Sequence, residues 1–186
     1  MGIVTKTGDK GTTGTLGGER VLKSSSLIEL NGQIDELNSS LGYLCSLIDE
    51  GADFERKTEL TDFIRYIQNG LYNMGSEISS KYEVMRFNES HPKLLEEKID
   101  ELTSLMPEQT HFILFSGTRQ ATYTHVTRSL ARRVERQYVR YLLEEEVETF
   151  PQSYMFLNRL SDYLFTLARY LNQELGGIEI TANAWK

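Results

Sequence analysis

The stretch Leu27 to Ile48, LIELNGQIDELNSSLGYLCSLI, decides the fold. Its apolar residues at 27, 30, 34, 37, 41, 44 and 48 advance by alternating steps of three and four, the seam of a helix buried along one side for about three heptads. Ser24, Ser25 or Ser26 can cap its start. The same stepping returns at Leu60, Phe63, Ile67, Leu71, Met74 and Ile78, and at Leu157, Leu160, Leu164, Leu167 and Leu171. A shorter helix is expected from Pro92, a favoured first-turn residue, through Leu95, Ile99, Leu102 and Met106 to a stop near Pro107. A further helix runs from about Arg119 to Leu143 on a core stripe of Tyr123, Leu130, Val134, Tyr138 and Tyr141. The acidic run Glu144 to Glu146 and Pro151 break the chain before the last helix.

Five helices with little strand signal predict an all-α bundle, a ferritin-like arrangement in one domain spanning residues 1–186. The longest connections lie near Ser79 to Ser90 and Thr110 to Thr118. Phe112 to Phe115 reads as a short strand, as an apolar lip between helices, or as buried packing.

A formal charge of −7 and a pI near 5.1 disfavour nucleic acid as a partner, because phosphate backbones demand a basic surface. Any cationic site must be local. One cysteine, Cys45, allows no internal disulfide and fits a reducing compartment. With no apolar signal core and no apolar run near the roughly 18 residues that span a bilayer, the expectation is a cytoplasmic protein without a membrane partner.

Charge and backbone freedom concentrate at the N-terminus, in Thr5, Lys6, Thr7, Gly8, Asp9, Lys10, Gly11, Thr12 and Thr13. Glycines let consecutive N–H groups turn toward one anion, hydroxyls add donors, and the lysines add charge. The run is not a Walker A loop, since no Gly-Lys-Ser/Thr follows a Gly-x4 spacing. It reads as a phosphate cradle or as a Gly/Thr-rich tail that binds nothing.

Three helices carry polar patterns that a leucine seam does not need. On the first, Asn31, Asp35, Asn38 and Gly42 form one stripe of residues that are poor helix formers. On the fourth, His125, Arg128, Arg132 and Glu135 share a side, with Arg133, Arg136 and Arg140 around them. Arginine forks suit phosphate oxygens, yet ion pairs such as Glu135 with Arg132 account for the pattern equally. On the fifth, Asn158 and Asp162 share a face, with Arg159 and Arg169 nearby. A di-iron bundle needs two Glu-x-x-His motifs, and Glu108 to His111 is the lone match, in an expected loop. No zinc spacing and no Gly-x-Ser-x-Gly elbow occurs, no metal ligands are assigned, and no protein nucleophile stands out.

In combination, TKTGDKGTT (5–13), GERVLK (18–23), NGQIDELNSSLG (31–42), HVTRSLARRVER (125–136) and NRLSDYLFTLAR (158–169) resemble the PduO-type ATP:corrinoid adenosyltransferases. The motifs stand in the same order and cover most of the chain. The resemblance implies a five-helix bundle assembled as a homotrimer, with ATP and a corrinoid meeting at each subunit interface. It implies an enzyme that moves the 5′-deoxyadenosyl group of ATP to the cobalt of cob(I)alamin and releases triphosphate. Reduced cobalt is then the nucleophile, which explains why the chain offers none.

The same resemblance assigns residues. The loop from Thr5 to Thr13 and Lys23 hold the triphosphate with Mg²⁺, and Arg132, Arg133, Glu135, Arg136 and Asn158 complete the nucleotide site. Arg132 is the charge that stabilises the departing triphosphate. Asp35 and Arg128 pair near the corrin and tie the first helix to the fourth. Phe112 fills the space beneath the corrin ring and keeps the lower axial ligand off cobalt, and Phe165 belongs to the same wall. A flavin-dependent cobalamin reductase and an adenosylcobalamin-dependent enzyme are the implied partners. The chain departs from the family at two places: Phe115-Ser116-Gly117 stands where Pro-Gly-Gly is common, and Ser129 where threonine is. The altered loop leaves open a second class of function, a protein that binds ATP and delivers or senses corrinoid without efficient transfer.

Overall fold

The computed structural model describes residues 2 and 4–185. Five helices dominate: α1 (Ser26–Glu50), α2 (Lys57–Ser79), α3 (Ser90–Ser104), α4 (Arg119–Glu144) and α5 (Gln152–Glu174). Two small antiparallel ladders flank them, β1 (Thr12–Gly14) with β2 (Arg20–Leu22), and β3 (Ile113–Leu114) with β4 (Ile180–Thr181). In packing order the helices run α2, α1, α4, α5, α3.

The apolar seams read from the sequence are the core. Leu30, Leu37, Leu41 and Leu44 of α1 have no exposed surface, nor do Ile67, Leu71 and Met74 of α2 or Leu157, Leu160, Leu164 and Leu167 of α5. Each such side chain contributes about 1.5–3 kcal/mol by leaving water. Aromatic contacts close the bundle between α2 and α5: the rings of Phe63 and Tyr163 meet edge to face at 5.1 Å. The start of α2 is tied to α3 by a network in which Lys98 donates to Glu59 at 2.6 Å and to Glu101 at 2.7 Å, while Arg56 donates to both carboxylates.

The reading of α4 needs correction. Tyr123 and Leu130 are only partly buried, whereas Thr124, His125, Thr127 and Ala131 are buried. The helix packs against both α1 and α5, so two of its faces are covered, and small or polar residues let α1 approach closely. Ser40 on α1 meets the Thr127 hydroxyl at 2.8 Å and donates to the Tyr123 hydroxyl at 3.1 Å. α3 begins at Ser90, two residues before Pro92.

The polar stripe of α1 has a structural explanation over most of its length. Asn31 donates to the Ser79 hydroxyl at 2.8 Å, Asn38 donates to the Gln68 carbonyl at 3.1 Å, and the Gln68 amide returns to Asn38 at 3.0 Å. Gly42 leaves room for that amide, which a Cβ would meet at 3.2 Å. These bonds zip α1 to α2. Asp35 alone stays exposed, in a cleft of about 320 Å³ lined also by Leu16, Tyr72 and Gly75.

The stretch 112–115 is the short strand that the sequence allowed. Ile113 and Leu114 pair with Ile180 and Thr181, and the Phe112 carbonyl accepts from the Ala182 N–H at 2.8 Å. The C-terminal tail therefore backs the lip formed by 112–115, while Trp185 stands fully exposed beyond it.

Candidate functional site

The N-terminal run forms a braced turn. Gly11 takes φ +78°, a region costly for residues with a Cβ, and its carbonyl accepts from the Lys23 N–H at 2.9 Å. Arg20, which pattern reading passed over, fixes the turn: its guanidinium donates to the Thr7 carbonyl at 2.7 Å and to the Thr12 hydroxyl at 2.7 Å. The Lys23 ammonium lies over Gly8, where a Cβ would come within 2.9 Å of it. Thr5, Lys6, Thr7, Asp9 and Lys10 are exposed, and Gly8, Thr12 and Thr13 half-buried. Among the described residues, Lys6, Lys10 and Lys23 have no ion-pair partner. The hairpin is moored to the end of α2, where the Gly17 N–H meets the Ser79 carbonyl and Lys81 pairs with Glu19 at 2.9 Å.

On α4 the proposed ion pair of Glu135 with Arg132 does not form. Glu135 instead accepts from the Asn158 amide at 2.6 Å, and Asn158 accepts from Arg159 at 2.7 Å. Arg133 pairs with Glu36 of α1. Arg132 and Arg136 are exposed and, among the described residues, unpaired. Among the described residues no hydrogen bond or ion pair links this patch to the loop: the hairpin is moored to the end of α2, whereas Glu135 and Asn158 face each other between α4 and α5.

The expected Asp35–Arg128 pair is absent within the chain. Asp35 faces the α1–α2 cleft, while Arg128 points to the side of α4 that meets α5 and the lip. There the guanidinium stacks over the Phe115 ring at 4.5 Å and lies 5.9 Å from the Phe165 ring. His125, 3 % exposed, packs against both rings, with centroids 4.6 Å from Phe115 and 5.9 Å from Phe165. Neither of its ring nitrogens makes a hydrogen bond. Burial, and then the Arg128 charge, push its imidazole down to about 4, so it is neutral at physiological pH. Burial likewise lowers Arg128, with Arg132 adding to the effect. Phe112 is 87 % exposed, a large apolar ring with no cover from its own chain.

Asn172, also missed from sequence, sets the shape of the lip. Its side chain donates to the Ser116 carbonyl and accepts from the Thr118 N–H, each at 2.9 Å. Gly117 lies against it at φ +112°, where a Cβ would come within 2.1 Å of the amide oxygen. Ser116 does not share that left-handed region, so serine fits there and Gly117 is the glycine the loop requires. Ser129 returns its hydroxyl to the His125 carbonyl at 3.0 Å, a bond threonine can make equally. Among the described residues no group of three or more His, Cys, Asp or Glu side chains converges, and no helix is long and apolar enough to cross a membrane.

The family model described as cobalamin adenosyltransferase matches residues 3–171. The chain is 38 % identical over 178 residues to a corrinoid adenosyltransferase of Bacillus subtilis, covering 95 % of this chain and 89 % of the other. It is 39 % identical over 188 residues to the human corrinoid adenosyltransferase MMAB, covering 95 % and 71 %. Among solved structures, an F112A variant of the PduO-type ATP:corrinoid adenosyltransferase of Lactobacillus reuteri, complexed with cobalamin and ATP, superposes with a TM-score of 0.87 at 34 % identity over 98 % of this chain and 100 % of that one. An R132K variant of such an enzyme from the same organism, complexed with ATP, gives 0.84.

Proposed function

The chain belongs to the cobalamin adenosyltransferase family, and from that premise we propose that it transfers the 5′-deoxyadenosyl group of ATP to the cobalt of cob(I)alamin or a related corrinoid. The observation that carries the reading is the braced loop, where Lys6, Lys10 and Lys23 stand without carboxylate partners among the described residues, in a chain of net charge −7. A polyphosphate is the ligand that such a cluster suits.

In the reaction the electron pair of Co(I) forms the bond to the ribose 5′-carbon as the bond from that carbon to oxygen breaks. The electrons of the broken bond leave with triphosphate, and cobalt becomes formally Co(III). The protein's part is to position and stabilise. The loop lysines and backbone N–H groups grip the triphosphate, and Arg132 and Arg136 offset the negative charge that grows on it. Asn158, itself held by Arg159, donates to Glu135 and draws that carboxylate away from Arg132. Mg²⁺ fits the exposed oxygen donors of the loop, the threonine hydroxyls and Asp9, and when bound would neutralise phosphate charge. Phe112 offers no donor atom; a phenyl ring beneath cobalt excludes a lower axial ligand and makes Co(II) easier to reduce. Positions 112 and 132 carry the residue types substituted in the Lactobacillus reuteri structures.

A homotrimer completes the site in this reading. In it the loop of one copy meets the α4–α5 patch of another, and Asp35 meets Arg128 in the same way; this is supported by Asp35 facing the α1–α2 cleft while Arg128 faces the lip. A flavin-dependent reductase is the electron source, and an adenosylcobalamin-dependent enzyme the consumer. Incubating the purified protein with ATP, Mg²⁺ and chemically reduced cobalamin tests the reading: the adenosylcobalamin spectrum and stoichiometric triphosphate are expected. Corrinoid binding without turnover would replace it with a delivery or sensor role, and a monomer at working concentration would remove the shared site.

A further inference from the structure

Position 115, where the family resemblance expects proline, carries a phenylalanine whose ring meets two groups of α4. It lies under the Arg128 guanidinium at 4.5 Å and against the His125 ring at 4.6 Å, while 56 % of it remains exposed at the lip beside Phe112. Its position is not a loose loop's. The Asn172 amide, donating to the Ser116 carbonyl and accepting from the Thr118 N–H, clamps the residues just after it, and the β3–β4 ladder clamps those just before. Arg128 gains from this support within its own chain: among the described residues its Nε is buried without a hydrogen-bond partner, and the ring face offsets part of that cost.

We propose that Phe115 is a positioning and specificity residue of the corrinoid side, which holds Arg128 against the Phe165 wall, extends the apolar surface begun by Phe112, and seals the His125 imidazole away from the ligand. The inference rests on the corrinoid reading above and adds to it a residue particular to this chain. A proline ring at this position presents no aromatic face to a cation. The seal also has a chemical purpose, because neutral imidazole is a good metal ligand, and cobalt bound near Phe165 has to be kept from it.

Two measurements on the full-length protein test this with Phe115→Ala, Phe115→Pro and Phe115→Tyr. The first needs no corrinoid: mass spectrometry locates diethyl pyrocarbonate on histidines. His125 is expected to be protected in the wild type and Phe115→Tyr and modified in Phe115→Ala and Phe115→Pro, with exposed His111 as the internal reference. The second compares cob(II)alamin dissociation constants and its paramagnetic spectrum with the KM for ATP. Phe115→Ala and Phe115→Pro are expected to weaken corrinoid binding about tenfold, the scale of a lost cation–π contact, and to leave the ATP value unchanged; Phe115→Tyr is expected to match the wild type. Wild-type protein that binds corrinoid, with Phe115→Ala binding it equally well, would overturn the inference and leave the proposed function standing. Wild-type protein that binds no corrinoid would overturn both the function and the specificity role, while the labelling still reads whether Phe115 seals His125.

Discussion

Asn158 on α5 donates its amide to Glu135 on α4 at 2.6 Å, and this bond determines the electrostatics of the candidate nucleotide site. A carboxylate one helical turn from Arg132 would otherwise be its natural partner. With Glu135 engaged, Arg132 and Arg136 present their charge outward.

Replacing Asn158 by leucine should therefore act through Glu135. The released carboxylate turns to Arg132, and the KM for ATP should rise roughly tenfold or more, on the scale of one charged hydrogen bond, while corrinoid affinity holds. Steady-state kinetics with each substrate varied reads the split. Equal losses on both sides would show that Asn158 supports the whole bundle instead.

Arg20 braces the loop from outside the anion site. Its bonds to Thr7 and Thr12 are exposed to water, so Arg20→Met should lower the melting temperature by only a degree or two. Without the brace, the turn must be ordered by the nucleotide itself, and ATP binding should weaken by about tenfold through that entropy. Calorimetric titration with ATP checks this, and unchanged affinity would mean that the loop holds its shape unaided.

His125 makes stability depend on mild acid. Its folded value of about 4 lies below the ordinary histidine value near 6.5, so between these limits the unfolded chain binds more protons than the folded one. Stability is then full above about pH 6.5 and is lost as pH falls toward 4, by on the order of 3 kcal/mol at most. Below that the loss from this group stops. Glu59, held down to about 2 by hydrogen bonds from Arg56 and Lys98, loses its contribution only in a lower window. Melting temperatures from pH 7 to 4 should fall less steeply for His125→Phe than for the wild type; parallel curves would mean that His125 is accessible to protons in the folded chain.

The physical reason that some of this was readable from sequence is periodicity. The seams of α1, α2 and α5 repeat at helical spacing because each buries one stripe, and every residue of the α1 seam is buried. α4 escaped that logic because it is covered on two sides, which puts Thr124, Thr127 and His125 inside where an apolar stripe alone would not. The Asp35–Arg128 pair came from the family resemblance and not from spacing, which reports a helix face but not which neighbour it meets; within one chain Asp35 faces the α1–α2 cleft and Arg128 the Phe115 ring. Arg20 and Asn172 went unread for a related reason: both act on backbone far along the chain, Arg20 on Thr7 and Asn172 on Ser116 and Thr118. The one trace of Asn172 was a polar residue in the last turn of a leucine-rich helix, just before Gly176 and Gly177.

Gly8 offers the sharpest test of the cradle. It has no left-handed φ, so alanine is tolerated by the backbone, and among the described residues the close obstacle is the far end of the flexible Lys23 side chain at 2.9 Å. Gly8→Ala should thus leave folding intact and push the ammonium off its seat, weakening ATP binding by several-fold to tenfold, as expected for a displaced charged contact. Lys23→Met should produce a loss of similar size, and the double variant should be little worse than either single one, because both changes remove the same interaction. Additive losses in that cycle would separate the two residues and show that Gly8 serves the nucleotide through its own N–H rather than by making room for Lys23.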